Sequence, residues 1–125
     1  MFEIMRRRRA RALSSKFQLG VYRVTKTAQL TWKGVFPAVT TQFGNDMSLD
    51  IEATQRTVRQ LVTEGVHGIV TLGTVGENNS QLASEKRQIV DAVVDAVAGA
   101  VPVIVGVSEL TTALACEFAA DVSDT

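Results

Sequence analysis

Residues 66–107, VHGIVTLGTVGENNSQLASEKRQIVDAVVDAVAGAVPVIVGV, contain two short apolar segments on either side of a helical pattern. The first segment, Val66 to Leu72, is followed by a loop with a glycine at its start, Gly73 to Asn79. The second, Val101 to Val107, is apolar almost throughout, as is typical of a strand covered on both faces. Between them, Gly99 ends a helix that places four apolar side chains on one face: Ile89, Val93, Ala96 and Val97.

The residues on either side of this stretch repeat the same order of elements. Upstream, Val35 to Thr40 predicts a short strand, in which Pro37 is tolerable because an initial strand residue need not donate to the ladder. Asp50 can cap a helix that Gly65 ends and that carries four apolar positions at helical spacing: Ile51, Val58, Leu61 and Val62. Downstream, a third helix is predicted to start near Thr111 or Thr112 and to continue to Thr125.

Strand and helix thus alternate three times with short connections, which is typical of parallel βαβ units with right-handed crossovers. The fold class is α/β. Three strands in succession can begin an open doubly wound sheet or a closed eight-stranded barrel, and periodicity does not separate these two. The loop Gly73 to Glu77 has neither the three-glycine dinucleotide spacing nor the Gly-Lys-Ser/Thr ending of a phosphate loop. The pattern therefore disfavours nucleotide binding.

Composition sets broad limits on the protein's class. The chain has 125 residues, 46% of them apolar and 21% charged, which suits one globular domain and excludes neither an enzyme nor a binding module. Its longest apolar stretches are far shorter than the roughly 20 residues that cross a bilayer, so no membrane span is expected. Cys116 is the single cysteine, which rules out an internal disulfide and favours a reducing compartment, the cytoplasm. Its apolar neighbours predict that Cys116 is buried.

Charge divides the chain into two parts. Residues 1–33 contain nine of the 13 Lys and Arg residues and one acid, whereas residues 34–125 contain four Lys and Arg residues and 12 acids. We therefore predict a basic, disordered N-terminal extension at 1–33 and a folded domain at 34–125. Two other interpretations of the extension stay open: a mitochondrial transit peptide, or a basic arm that binds nucleic-acid phosphates.

Four ordered segments resemble the dihydrodipicolinate synthase and N-acetylneuraminate lyase superfamily. Gly34 to Phe43 is similar to that family's opening strand, and Glu64 to Val70 to the start of its second strand. Gly73 to Glu77 resembles its signature loop, and Val101 to Val107 its third strand. The resemblance implies that residues 34–125 are about three strand-helix units, the N-terminal part of a (β/α)8 TIM barrel.

The resemblance also implies a chemistry. Members of the family form an imine between a lysine on the sixth strand and pyruvate or another 2-keto acid, and aldol addition, aldol cleavage or dehydration follows. The Thr74 hydroxyl would join a proton relay with two tyrosines, and the backbone amides of Thr74 and Val75 would bind the keto-acid carboxylate. Relatives are commonly tetramers of tight dimers, and no metal or organic cofactor is implied. From the residues alone, the alternative is that Thr74 hydrogen-bonds its own turn.

Two departures from the family pattern bear on activity. Val75 occupies a loop position where a second hydroxyl residue is common, which leaves only a backbone donor there. No lysine lies in a predicted strand, because Lys16, Lys26 and Lys33 precede the domain and Lys86 is predicted on a helix surface. Imine chemistry needs a buried amine, so we expect the chain to be truncated and inactive alone. His67, at the start of a strand, is predicted to be structural.

The sequence therefore indicates a lyase of this family that acts on pyruvate or another 2-keto acid. A rival from another class is a non-catalytic protein that associates through an exposed strand with a partner or with itself. A weaker rival is a nucleic-acid binder that uses the arginine-rich arm.

Overall fold

The computed structural model describes residues 33–123. In chain order the elements are α1 (Ile51–Thr63), β1 (Ile69–Thr71), α2 (Ala83–Val97), β2 (Val103–Val105) and α3 (Thr112–Ser123), with one 3-10 turn at Asn78–Ser80. The predicted basic extension lies outside the described residues except for Lys33. The three interpretations of that extension therefore stay predictions.

The two strands pair in parallel, as the alternating pattern predicted. Ile69 lies opposite Val103, and Thr71 lies opposite Val105. The crossover between the two strands is the helix α2, which makes β1, α2 and β2 a βαβ unit.

The predicted first strand lies on the other side of β1, but it is shorter than expected. Val39 N–H donates to the Val70 carbonyl at 2.9 Å, and Val70 N–H donates to the Pro37 carbonyl at 2.9 Å. A single parallel bridge, from Ala38 to Val70, results. Pro37 has no N–H to donate, so the ladder is interrupted there, and the His67 amide donates to the Val35 carbonyl beyond the interruption.

The helix α1 begins and ends where the sequence predicted. The Asp50 carboxylate accepts a hydrogen bond from the Ala53 amide at 2.8 Å, which is the usual geometry of an N-cap. Gly65, just past the helix, has a φ of +86°, a conformation that glycine adopts without steric cost. Val58 is the one apolar residue of α1 that is fully buried, and Ile51, Leu61 and Val62 are half-buried.

The core surrounds α2, which packs against α1, both strands and α3. All four residues predicted on its inner face are buried. The buried apolar cluster comprises Val39, Val58, Ile69, Leu72, Ile89, Val90, Val93, Ala96, Val97 and Phe118. The predicted amphipathic pattern of α2 is thus confirmed.

Two predicted side-chain environments are wrong. Lys86 was predicted on a helix surface, yet it is only 4% exposed, because the Glu109 carboxylate lies against its ammonium group. Cys116 was predicted to be buried, yet it is exposed. The buried residue of α3 is Phe118, and two positions along a helix correspond to a rotation of about 200°, which turns Cys116 away from the core.

Within residues 33–123, every helix is too short or too polar to cross a membrane.

Candidate functional site

A loop from Gly73 to Gln81 connects the carboxyl end of β1 to the start of α2. The carboxyl end of β2 lies beside it, since the Gly106 amide donates to the Thr71 carbonyl at 2.9 Å. In parallel βαβ folds the loops at this end of the strands form the functional face. We therefore take this loop and its neighbours as the candidate site.

Two glycines allow the backbone to approach closely at this end of the sheet. A Cβ atom on Gly106 would lie 2.2 Å from the Leu72 carbonyl oxygen, a distance that no side chain can occupy. A Cβ atom on Gly76 would lie 3.0 Å from the Leu72 nitrogen and 3.2 Å from the Val39 carbonyl oxygen. Both glycines are therefore needed for the close approach of three chain segments.

Asn78 joins the carboxyl ends of the two strands. Its Nδ2 donates to the Leu72 carbonyl at 3.0 Å and to the Gly106 carbonyl at 3.1 Å, and the residue is buried. Its Oδ1 is also buried and has no partner among the described residues. A buried amide that satisfies two strand-end carbonyls holds those strands at a defined separation.

A second buried amide holds the loop against Thr41, which follows the predicted first strand. Gln81 Nε2 donates to the Gly76 carbonyl at 2.7 Å and to the Thr41 hydroxyl at 3.2 Å. The Thr41 hydroxyl in turn donates to the same Gly76 carbonyl at 2.8 Å. Both side chains are buried, so Gly76 is anchored from two sides.

Thr74 and Val75 lie at the exposed tip of this anchored loop. The Thr74 carbonyl accepts the Glu77 amide at 3.1 Å and closes the turn, and Glu77 adopts a φ of +58°. Within residues 33–123, neither the Thr74 hydroxyl nor the amides of Thr74 and Val75 make a hydrogen bond. The alternative, in which the Thr74 hydroxyl bonds its own turn, does not describe this geometry. The exposed tip of the loop thus carries one hydroxyl and two amide donors that have no partner among the described residues.

The remaining sequence-predicted residues lie apart from this tip. His67 is at the opposite end of β1, where its Nδ1 accepts the Val35 amide at 3.1 Å and its own amide donates to the Val35 carbonyl at 2.8 Å. These two hydrogen bonds hold Val35 beside His67, in agreement with a structural role. Lys86 lies in the first turn of α2, with Nζ 2.6 Å from Glu109 Oε1.

Sequence reasoning missed four residues of this region: Thr41, Asn78, Gln81 and Glu109. Each acts through a partner that is distant along the chain or through a loop carbonyl, and no spacing in the sequence marks such contacts. One signal in the sequence could have indicated Asn78 and Gln81: both are amide residues in a loop that leads into a buried helix. A buried amide needs hydrogen-bond partners, so such residues are candidates for anchoring the loop.

In the loop before α1, the Asp46 carboxylate has a shifted pKa whose cause is a neighbouring residue. The Asp46 carboxylate accepts a hydrogen bond from the Ser48 hydroxyl at 2.7 Å and from the Ser48 amide at 3.1 Å, and these bonds lower its pKa below the ordinary value. Among residues 33–123, no group of three or more His, Cys, Asp or Glu side chains is placed to hold a metal ion.

The sequence matches the Dihydrodipicolinate synthetase family over residues 31–125, which is most of the chain. The chain belongs to this family. A relative, an uncharacterized DapA-like lyase from Halobacterium salinarum, is 48% identical over 79 residues, which are 63% of this chain and 26% of the relative.

Solved structures agree with the family assignment. A prophage protein of the dihydrodipicolinic acid synthase family from E. coli K12, in complex with pyruvate, superposes with a TM-score of 0.71 and 29% identity over 75% of this chain. N-acetylneuraminate lyase from Mycoplasma synoviae superposes with a TM-score of 0.70 and 30% identity over 74% of this chain. Each match covers 32% of the other chain.

The fold and the family are therefore those that the sequence resemblance implied. The described residues are the N-terminal part of a (β/α)8 barrel, and the family is one of lyases. This chain spans about a quarter to a third of the length of its relatives.

Proposed function

We propose that the protein binds pyruvate or a related 2-keto acid through the loop Gly73 to Gly76, as part of a lyase that works through a lysine imine. The observation that carries this proposal is a pair of backbone amides, those of Thr74 and Val75, that have no hydrogen-bond partner within residues 33–123 although the loop around them is anchored. Successive unpaired backbone N–H groups in a turn can form a site for an anion.

The carboxylate of the keto acid is the group that these amides suit. Hydrogen bonds to an ionised carboxylate are about twice as strong as neutral ones. Because Asn78 and Gln81 hold the loop, its amides need little reorganisation when the anion binds. The pyruvate complex of the E. coli K12 family member supports this choice of ligand.

Thr74 has a second role in the proposal. Its exposed hydroxyl can accept a proton and donate one, so it can relay a proton between the bound keto acid and other hydroxyl groups of a complete barrel. Val75 contributes its backbone amide only, because its side chain carries no donor.

We propose that the 125-residue chain binds the keto acid without turning it over. Neither β1 nor β2 contains a lysine, and the ammonium group of Lys86 is engaged with Glu109.

Three further expectations from the sequence are part of the proposal. We propose an extension at residues 1–33 and a partial barrel domain at residues 34–125, and we propose that the protein is cytoplasmic. We also propose that the protein forms a homo-oligomer.

A titration of the isotope-labelled chain with pyruvate tests this function. We expect saturable shifts of the Thr74 and Val75 amide resonances in NMR spectra, and none with acetone, which has the ketone but no carboxylate. Val75→Pro removes one amide donor, and a hydrogen bond to a charged group contributes about 1.5–3 kcal/mol. The variant should therefore bind pyruvate about tenfold more weakly or worse.

Val75→Ala is the matched control, because it keeps the amide and should bind within about twofold of the original chain. Pyruvate that causes no saturable shift, or that binds Val75→Pro as well as the original, would refute carboxylate recognition by this loop. Borohydride reduction of the complex should add no mass. A mass gain at a lysine would show that the chain itself forms the imine.

A second candidate, association without catalysis, rests on one observation. Among the described residues β2 pairs with a strand on one side only. A groove of about 290 Å³ beside it is lined by seven valines and a glycine: Val90, Val94, Val97, Gly99, Val101, Val103, Val105 and Val122. Sedimentation at several concentrations should give one discrete assembly for this candidate.

A further inference from the structure

The partly buried ion pair between Lys86 and Glu109 is the feature that the proposed function leaves unused. Their side chains are 6% and 15% exposed, and Lys86 Nζ lies 2.6 Å from Glu109 Oε1. The pair connects the first turn of α2 with the segment after β2, 23 positions further along the chain. Lys86 Nζ also lies 6.0 Å from the centroid of the buried Phe118 ring of α3, at the outer limit of a cation–π contact.

The Lys86–Glu109 pair is not expected to contribute much to the free energy of unfolding. A cation in the first turn of a helix lies at the positive end of the helix dipole. Burial removes most of the water around the Lys86 ammonium group and part of that around the Glu109 carboxylate, and apolar residues of similar volume often replace a buried pair without loss of stability. An ammonium ion paired with a carboxylate is also not the free amine that attacks a ketone. Neither stability nor imine chemistry accounts for Lys86.

The pair is a contact that can fix the position of the segment after β2. Within residues 33–123, Val107, Ser108 and Leu110 take part in no hydrogen bond. Before this segment, Gly106 is tied to Thr71 and Asn78; after it, the Thr111 hydroxyl accepts the Leu114 amide. Between these points the Glu109 carboxylate is the only polar tie in the described structure.

We propose that Lys86 and Glu109 are a positioning pair that holds segment 107–110 beside the loop Gly73 to Gly76. This segment is the next wall of the functional face, because Gly106 and Asn78 bring the two loops together. The pair thereby sets the shape of the face on which the keto acid binds. This inference rests on the proposed function for its ligand, but not for its geometry.

The test separates position from stability by replacing both charges. In Lys86→Met with Glu109→Leu, apolar groups of similar length fill the same space, so the melting temperature should stay equal or rise. Backbone order parameters at Val107 to Leu110 should nevertheless fall from about 0.85 to below about 0.6. Affinity for pyruvate, measured by the same NMR titration, should fall about fivefold.

Two further variants complete the design. The charge exchange Lys86→Glu with Glu109→Lys should recover part of the order in segment 107–110, as expected for a coupled pair. Arg87→Met is the matched control, because Arg87 is on the same helix turn and pairs at the surface with Asp121. It should change neither the order of the segment nor pyruvate affinity.

Unchanged order parameters in the double apolar variant would overturn the inference, as would a charge exchange no more ordered than the single Lys86→Glu. If the double apolar variant does not fold, Lys86→Met alone, which removes the ammonium partner and leaves the less buried Glu109 in place, applies the same order criterion. A chain that does not bind pyruvate at all would refute the proposed function, while the order measurements would still decide whether the pair positions the segment.

Discussion

The unit β1–α2 and the unit β2–α3 have the same order of elements but differ in how deeply they are buried. The helix α2 buries seven residues, whereas α3 buries one, Phe118. Their compositions predict the reverse, since α3 is the more apolar helix. Leu110, just before α3, and Leu114, in its first turn, are 97% and 47% exposed.

The difference follows from the number of neighbours that each unit has. In the described structure β1 lies between the stretch around Ala38 and β2, and α2 lies between α1 and α3. The second unit has a neighbour on one side only within the same residues. In a closed (β/α)8 barrel every unit is flanked on both sides. Burial in this fold therefore depends on the place of a unit in the series more than on its own composition.

The loops that follow the two strands also differ, because the loop after β1 is held by more polar contacts than the segment after β2. The loop Gly73 to Gln81 is held by two buried amides, those of Asn78 and Gln81. Segment 107–110 has the Glu109 carboxylate as its one polar tie among the described residues. The anchored loop is the one in which the amides of Thr74 and Val75 have no partner among the described residues.

The largest expected effect is in the core of the first unit. Ile89→Ala removes a fully buried side chain of α2 and should lower the free energy of unfolding by about 3 kcal/mol. Leu114→Ala, in the half-exposed face of α3, should lower it by less than about 1 kcal/mol, because little apolar surface leaves contact. Urea unfolding of both variants measures the difference. Equal losses would mean that the two units are packed equally well.

The sequence predicts those features of the two units that depend on local spacing of residues, and it does not predict those that depend on distant contacts. The inner face of α2 and the Asp50 cap were predicted correctly, because a helical period and a capping residue are local signals. The burial of Lys86 was not, because it depends on Glu109, 23 positions away. Cys116 was predicted in the core from its apolar neighbours, although these neighbours lie on several faces of α3.

The candidate site was predicted in part for the same reason. The loop containing Thr74 and Val75 was located by its glycines and its resemblance to a family. The side chains that anchor it were not, since Gln81 reaches Thr41 across 40 positions and Asn78 reaches Gly106 across 28. Contacts of this kind leave no periodic trace in a single sequence.

The second expected effect concerns the junction between the two units. Asn78→Ala leaves the carbonyls of Leu72 and Gly106 without their buried donor, which should cost about 2 kcal/mol in the free energy of unfolding. Asn79→Ala, one position away and exposed, should stay within about 0.5 kcal/mol of the original chain. Denaturation of the two variants side by side provides the measurement. An Asn78→Ala chain as stable as Asn79→Ala would show that the strand ends do not depend on the amide.

The smallest effect is expected at the start of α3, where the Thr111 hydroxyl accepts the Leu114 amide at 3.2 Å. This is N-cap geometry, and its loss in Thr111→Ala removes about 1 kcal/mol from the helix. Because α3 is weakly buried, we expect it to open locally before the whole domain unfolds. The loss should therefore appear as faster hydrogen exchange of amides in α3, with little change in the urea midpoint.

Thr112→Ala is the matched control, because its hydroxyl makes no hydrogen bond within the described residues and its exchange rates should stay unchanged. If Thr111→Ala instead lowers the urea midpoint as a loss of about 1 kcal/mol in the whole domain would, α3 unfolds together with α2. The two units would then form one cooperative structure, and the difference in burial would have no counterpart in stability. A change confined to α3 exchange would establish the second unit as the part of the domain that opens first.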